Sequence, residues 1–529
     1  MWIGLIFIGA VIFSFASEAI VVPRAPWCRT PLALALHILA VLFLCVFFML
    51  LSARPVFSAF CAIALLAVMG MVSNPKFATL REPFVFLDLC LYMQIFRHPR
   101  LYLPFLGGRT IAAVGIGVAA LVLGCWAEPP VTPHPWLIPL LVMAVCLAFS
   151  YSIAARLPLT LDATMDQSRH GFFAVFVAYL LNGLRPSTLK EFQAQVQAGP
   201  FASDGNGPGH TAQTVSSNPE TAARTETRIA AGIPPDVIVI QSESYFDARC
   251  MSTAINPSVY AQFDRACRES VAWGELTVPA WGANTMRSEF SFLTGLASEQ
   301  LGYARFYPYI FLRRACASLP GWFQRHGYHT LAIHPYDAGF FGRTRVFPLL
   351  HFERFLDIAY FKQAPRAGPY VADAAITEAI FAALENEPGQ TPHFIFTMTM
   401  ENHGPLYLET VRPGEAGLYH TLGEDEKWAE LTIYLRHVAN TDVMLGNLLG
   451  RLKSRSRPVV VCYYGDHVPS LPRQFRALSV MPQRSAYLIW RNFGARPSEQ
   501  QNIRVEALGS MTLAAMQDTD RICPALARQ

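Results

Sequence analysis

Five apolar runs in the first 155 residues set what this chain can fold into. They extend from Trp2 to Val22, Leu32 to Leu51, Val56 to Val72, Thr110 to Trp126 and Trp136 to Ala155. In hydrocarbon a backbone must satisfy its own polar groups, so each run is expected to be a membrane-spanning helix, the third and fourth near the short end. Phe84 to Phe96 is also apolar, but it is short and carries Asp88, which suits an interfacial or re-entrant piece better than a sixth span. The first run lacks a basic stretch before it and a small-residue cleavage site, so it reads as an uncleaved span and not a signal peptide. Lys76, Arg81, Arg97, Arg100 and Arg109 fall between the third and fourth runs. The positive-inside rule places that loop in the cytoplasm and, with five spans, the rest of the chain there too.

Beyond the fifth run the composition becomes that of an ordinary globular protein. A net charge of +4 on 529 residues, without a basic stripe, gives no sign of nucleic-acid binding. Gly171 to Leu184 is a helix candidate expected to lie along the membrane surface. Pro200 to Pro235 is rich in small and polar residues, cannot bury enough surface to fold, and reads as a flexible tether. The chain therefore divides into a membrane domain (residues 1–157), an interfacial helix and tether (158–235) and a carboxyl-terminal domain (236–529). Cys250, Cys267, Cys316, Cys462 and Cys523 of that last domain form no paired metal motif, and one disulfide among them is left open.

From Asp236 onward, strands alternate with helices. Strands are expected at Val237–Gln241, Thr330–His334, His393–Met400, Pro458–Tyr463 and Ala486–Trp490. Helices are expected at Pro257–Ser270, Ser288–Thr294, Val371–Asn386 and Glu424–Lys453. Such alternation predicts a mostly parallel sheet flanked by helices on both faces. In a sheet of that kind the carboxyl ends of the strands share one edge. Four of the strands end in chemistry: Glu243 after the first, His334 after the second, Glu401, Asn402 and His403 after the third, Asp466 and His467 after the fourth. Asp337 and Arg343 follow His334 in its loop. A hard carboxylate oxygen beside an imidazole nitrogen suits Zn²⁺ or Mn²⁺.

Between the first two strands, Gly282 and Asn284 mark a turn before Thr285, Ser288 and Glu289. An ordinary helix N-cap, on Thr285 or Ser288, would have this spacing. So would a nucleophilic hydroxyl beside the exposed N–H groups of a helix start, its pKa lowered by a nearby metal.

Taken together, Glu243, Thr285, His403 and Asp466-His467 behind five apolar runs resemble the lipoteichoic acid synthase or phosphoglycerol transferase family, sulfatase-like members of the alkaline phosphatase superfamily. That family has a threonine followed four and five residues later by Glu-Phe, as Thr285 is by Glu289-Phe290. Asn402-His403-Gly404-Pro405 resembles its Asn-His-x-Pro segment and Gly465-Asp466-His467 its closing Gly-Asp-His. LREPFVFLDL, from Leu80 to Leu89, resembles its Arg-Gly-Glu-Pro-x-x-x-x-Asp-Leu segment without the glycine.

The resemblance implies that Glu243, Thr285, Asp466 and His467 hold one divalent cation, typically Mn²⁺, with Zn²⁺ or Mg²⁺ as alternatives. It implies that Thr285 attacks the phosphorus of phosphatidylglycerol or phosphatidylethanolamine, diacylglycerol leaves, and a glycan hydroxyl then takes the headgroup. His403 would stabilise charge or protonate a leaving oxygen. Arg343, with the aromatic Phe341 two positions before it, would bind phosphate, and His334 would line the same pocket. Where the family often has Trp this chain has Phe341, and Met286-Arg287-Ser288 departs from the residues usual after the threonine. Lipid donors and glycan acceptors meet outside the cytoplasm, which places the catalytic domain on the periplasmic side of a bacterial inner membrane, against the arginine count. The rivals are a hydrolase on the same fold, a membrane scaffold that has lost activity, and a channel or transporter, for which the spans carry few charges. The C-x-[PA]-x-R stretch that a sulfatase's formylglycine requires is absent, with Thr285 in its place.

Overall fold

The computed structural model describes residues 2–90, 108–132, 136–202, 233–385, 391–494 and 497–517. Two compact units divide the chain, Met1–Lys190 and Glu191–Gln529.

In the first unit each of the five apolar runs is a helix: Trp2–Glu18, Pro31–Ser52, Pro55–Leu80, Gly108–Ala127 and Leu137–Ala154. Pro31–Ser52, Pro55–Leu80 and Leu137–Ala154 have the length and apolarity of full spans. Trp2–Glu18 has 17 residues and is shorter than expected, because the chain turns at Ala19. The helix expected along the membrane surface is Phe172–Gly183, and its Ala174 and Ala178 pack in one cluster with Ala33, Leu36, Ala154 and Leu157. It is apolar nearly all round, and a helix with no polar face is covered on every side. The LREPFVFLDL segment is a buried loop closed by charge. Lys76 Nζ donates to Asp88 at 2.6 Å and Glu82 at 2.9 Å, and the Val85 N–H donates to Asp88 at 2.7 Å. The remainder of the expected interfacial piece, and most of the expected tether, lie outside the described residues.

The second unit is built on a sheet of nine strands among the described residues. These are β1 (Asp236–Ser242), β2 (Ala272–Thr277), β3 (His329–Ile333), β4 (Arg354–Leu356), β7 (His393–Met398), β8 (Val459–Gly465), β9 (Ser485–Arg491), β10 (Glu499–Gln500) and β11 (Ile503–Arg504). A separate hairpin pairs β5 (Arg366–Ala367) with β6 (Tyr370–Val371). The sheet order is β10-β2-β9-β8-β1-β7-β3-β4, with β11 also on β2. The run β8-β1-β7-β3-β4 is parallel, while β9 lies antiparallel to both β8 and β2.

Every residue of β1, β7 and β8 is buried, as strands covered on both faces must be, and this is why they read as continuous apolar runs. On one face Ile238, Ile240, Ile395, Val461 and Tyr463 share a core with Leu431, Leu435, Leu445 and Leu448 of helix Ala429–Lys453. On the other, Phe292 of helix Thr285–Thr294 stacks on Tyr464 at 4.9 Å and on Phe396 at 5.9 Å. Cys267, Cys316 and Cys462 are buried free thiols, Cys250 is an exposed one, and Cys523 lies outside the described residues.

Candidate active site

Register brings the expected residues to one edge. Ser242 at the end of β1 pairs with Gly465 at the end of β8, and Gln241 with Met398 of β7. Ile333 of β3 pairs with Thr397. Glu243, Asp466-His467 and His334 follow directly on those ends, and His403 stands in the loop after β7. A side chain at Gly465 is excluded, since a Cβ there would lie 1.8 Å from the Tyr245 carbonyl oxygen.

One ligand atom each from Glu243, Asp466 and His467 lie within 4.8 Å of one another, and all three residues are buried. His467 Nε2 is 3.4 Å from Asp466 Oδ2 and 3.7 Å from Glu243 Oε1. Its Nδ1 lies 3.1 Å from the Val468 carbonyl, which fixes the proton there and leaves Nε2 as a lone pair. Asp466 Oδ2 is buried with no hydrogen-bond partner among the described residues. Burial and the neighbouring carboxylate of Asp466 push the Glu243 carboxyl up to about 8. Two carboxylates and an imidazole nitrogen converging are a donor set that fits a divalent cation.

Ser244, which the sequence reading passed over, aligns both acids. Its N–H donates to Asp466 Oδ1 at 2.8 Å and its hydroxyl to Glu243 Oε1 at 2.8 Å. That requires a left-handed backbone at Ser244, φ 54°, an uncommon conformation of the sort that clusters at functional sites.

Thr285 is the first residue of its helix, not the cap. Asn284 occupies the N-cap with φ 67° and makes no side-chain cap bond. The Thr285 hydroxyl instead lies 3.5 Å from His467 Nε2, at the cluster's edge. Ser288 docks the helix by donating to the Asp466 carbonyl at 2.6 Å, which occupies its hydroxyl. Glu289 carries no exposed surface and holds Arg343 through two bonds, Nε to Oε1 at 3.1 Å and Nη2 to Oε2 at 2.8 Å. Tyr309 donates to the same carboxylate. Arg343 is 1% exposed, and its Nη1 has no hydrogen-bond partner among the described residues. Its guanidinium lies 5.2 Å over the Phe341 ring, and Phe341 is itself left-handed at φ 54°. Arg287 turns away from the cluster, its Nε donating to the Phe306 carbonyl.

His334 is buried, and burial with the adjacent Arg343 charge holds its pKa well below the ordinary histidine range. Burial also lowers His403, outweighing the Gly404 carbonyl and Asp466, so both imidazoles are neutral. His403 Nδ1 lies 2.6 Å from the Gly404 carbonyl, which leaves Nε2 as its acceptor. Glu401 and Asp337 lie apart from the cluster. Glu401 binds the Asp373 N–H and His437, and Asp337 caps the turn at Gly339.

The family model described as Sulfatase matches residues 235–516. A capsular polysaccharide biosynthesis protein, RkpI, of Rhizobium meliloti (strain 1021) is 28% identical over 447 residues, 80% of this chain and 75% of that protein. A putative cyclic beta-1,2-glucan modification protein of the same organism is 27% identical over 248 residues, 47% of this chain and 38% of that one. Among solved structures, the integral membrane lipooligosaccharide phosphoethanolamine transferase A of Neisseria meningitidis superposes with a TM-score of 0.54. It is 14% identical, and the match covers 93% of this chain and 96% of that one, a likeness of fold.

Proposed function

Since the chain belongs to the sulfatase family and carries spans with a converged acid–imidazole–threonine cluster, we propose that it is a membrane-anchored transferase acting through Thr285. It moves a phospholipid headgroup, phosphoglycerol or phosphoethanolamine, onto an envelope glycan. The observation that carries this reading is the Thr285 hydroxyl 3.5 Å from His467 Nε2, beside the buried carboxylates of Glu243 and Asp466. The names of the two Rhizobium relatives favour a glycan acceptor, and that of the Neisseria protein a headgroup donor. Donor and acceptor of this kind meet on the periplasmic side of the inner membrane, where the reading puts the second unit.

Held by Glu243, Asp466 and His467 with Thr285, a divalent cation (Mn²⁺ by resemblance) would polarise the phosphoryl oxygen and lower the pKa of the threonine hydroxyl. Charge argues for a diester. The cation offsets two carboxylates, Glu289 offsets Arg343, and both nearby imidazoles are neutral, so the site suits a monoanion better than a dianion. Arg343 Nη1 faces the non-bridging oxygens as charge develops there, and His334 lines the same pocket. In the first displacement the Thr285 Oγ–P bond forms, the P–O bond to diacylglycerol breaks, and the proton of the Thr285 hydroxyl passes by way of neutral His403 Nε2 to the departing glyceride oxygen. In the second, the acceptor oxygen bonds to phosphorus, the Thr285 Oγ–P bond breaks, and the acceptor's proton passes by way of His403 Nε2 back to Thr285 Oγ.

The test supplies full-length protein with Mn²⁺, phosphatidylglycerol or phosphatidylethanolamine labelled in the headgroup, and a cyclic β-1,2-glucan. Label in the glucan supports the reading. Label only in free glycerophosphate or phosphoethanolamine marks a hydrolase. Unchanged lipid together with absent bound metal marks an inactive scaffold.

A further inference from the structure

Helix Ala429–Lys453 crosses beneath the loop that carries His403 and offers it Arg436, His437, Asn440 and Thr441 from one face. His437 is 1% exposed. Its Nδ1 lies 3.0 Å from Glu401 Oε1 and its Nε2 2.9 Å from Glu409 Oε1. Carboxylates only accept, so both ring nitrogens donate and the ring is an imidazolium. Burial opposes that charge, but the hydrogen bonds to Glu401 and Glu409 carry the pKa up to about 9.

Glu401 and Glu409 are the two ends of the loop that holds Asn402 and His403, so one side chain closes that loop at both ends. Neighbouring contacts deepen the grip. Asn440 donates to Glu401 Oε1 at 2.6 Å and the Asp373 N–H to its Oε2 at 2.7 Å. Thr441 binds Asp373 at 2.7 Å, and Arg436 reaches Glu409 at 3.5 Å. The Glu409 carboxylate sits against Gly368, where a Cβ would meet Oε1 at 2.4 Å. This seats the β5–β6 hairpin on the loop. From that hairpin the Tyr370 hydroxyl donates to the Gly404 carbonyl at 3.1 Å, 3.3 Å from His403 Nδ1.

We propose that His437 is a positioning residue: by bridging Glu401 and Glu409 it closes the loop and fixes His403 Nε2 toward the Thr285 cluster. The claim about His403 rests on the function proposed above; the loop closure does not.

Full-length protein and its His437→Gln and Glu409→Ala variants are compared by hydrogen–deuterium exchange over residues 401–409 without metal. With Mn²⁺ they are compared for turnover of bis(p-nitrophenyl) phosphate. In His437→Gln, exchange rises across the whole loop and kcat falls about tenfold to a hundredfold, with KM and Mn²⁺ affinity unchanged. In Glu409→Ala, exchange rises at the carboxyl end of the loop only. Unchanged loop exchange in His437→Gln overturns the proposal. So does raised exchange with unchanged kcat. If the wild type turns over no probe, the proposed function fails while the exchange measurement still decides the loop closure.

Discussion

Two of Arg343's three guanidinium nitrogens are taken by Glu289, and both residues are buried. The acid thus aims Arg343, leaving Nη1 for substrate. Glu289→Gln keeps an acceptor but strands a buried cation, and removing one partner of such a pair costs about 3–5 kcal/mol. We expect a lower melting temperature and a raised KM for a phosphodiester probe, with Mn²⁺ binding retained, read by calorimetry and kinetics. Arg343→Lys does not restore KM, because an ammonium cannot make both bonds at once. Metal linkage gives a second prediction. Chelation lowers the melting temperature and Mn²⁺ restores it, by about 2.7 kcal/mol at a hundredfold excess over Kd. Asp466→Asn abolishes the restoration. Glu243, Thr285, Asp466 and His467 were legible because each stands at a strand or helix end with chemistry of its own. Ser244 was not, because its hydroxyl and its backbone N–H reach the two acids only through a left-handed turn that the letters do not spell. Glu289 was visible as a motif letter, but its pairing with Arg343, distant in sequence, appears only in three dimensions.

At the scale of elements, the close approach at Gly465 seats Asp466 and His467. Gly465→Ala puts a methyl into the Tyr245 backbone, and overpacking of that kind costs about 3 kcal/mol or more. A chemical-denaturation midpoint reads it, together with lost metal binding. His437 gives a pH signature. Its pKa is raised, so its stabilising charge is fully present below the ordinary histidine range and is lost as pH rises through about 9. The groups facing it are Glu401, Glu409, Asp373 and Arg436. The wild-type melting temperature therefore falls more steeply across that window than that of His437→Gln. The parallel core strands were readable because burial on two faces makes them uniformly apolar. β2 was missed because it is an outer strand with alternating burial, its Gly274 and Glu275 breaking the apolar pattern. Helix Val505–Ala515 was missed too, since Gly509 and Ser510 weaken its pattern. Gly509 is what admits it, a Cβ there meeting the Phe292 carbonyl at 3.1 Å, so this last helix backs the one that starts at Thr285.

For the whole molecule, the arginine-rich loop and the proposed chemistry assign opposite sides of the membrane to the second unit. Lys76, counted in that loop, lies within helix Pro55–Leu80 and is bound to two acids. Cys250 is an exposed free thiol of the second unit, so a membrane-impermeant maleimide applied to intact spheroplasts labels it if that unit is periplasmic. Labelling only after lysis places it in the cytoplasm and removes the glycan acceptor from reach. The most direct measurement for the account is peptide-resolved mass spectrometry of the full-length protein after exposure to phosphatidylglycerol and Mn²⁺. One glycerophosphoryl group is expected on Thr285, lost in Thr285→Ala and in His467→Gln. An adduct on any other residue, or one that survives Thr285→Ala, contradicts it.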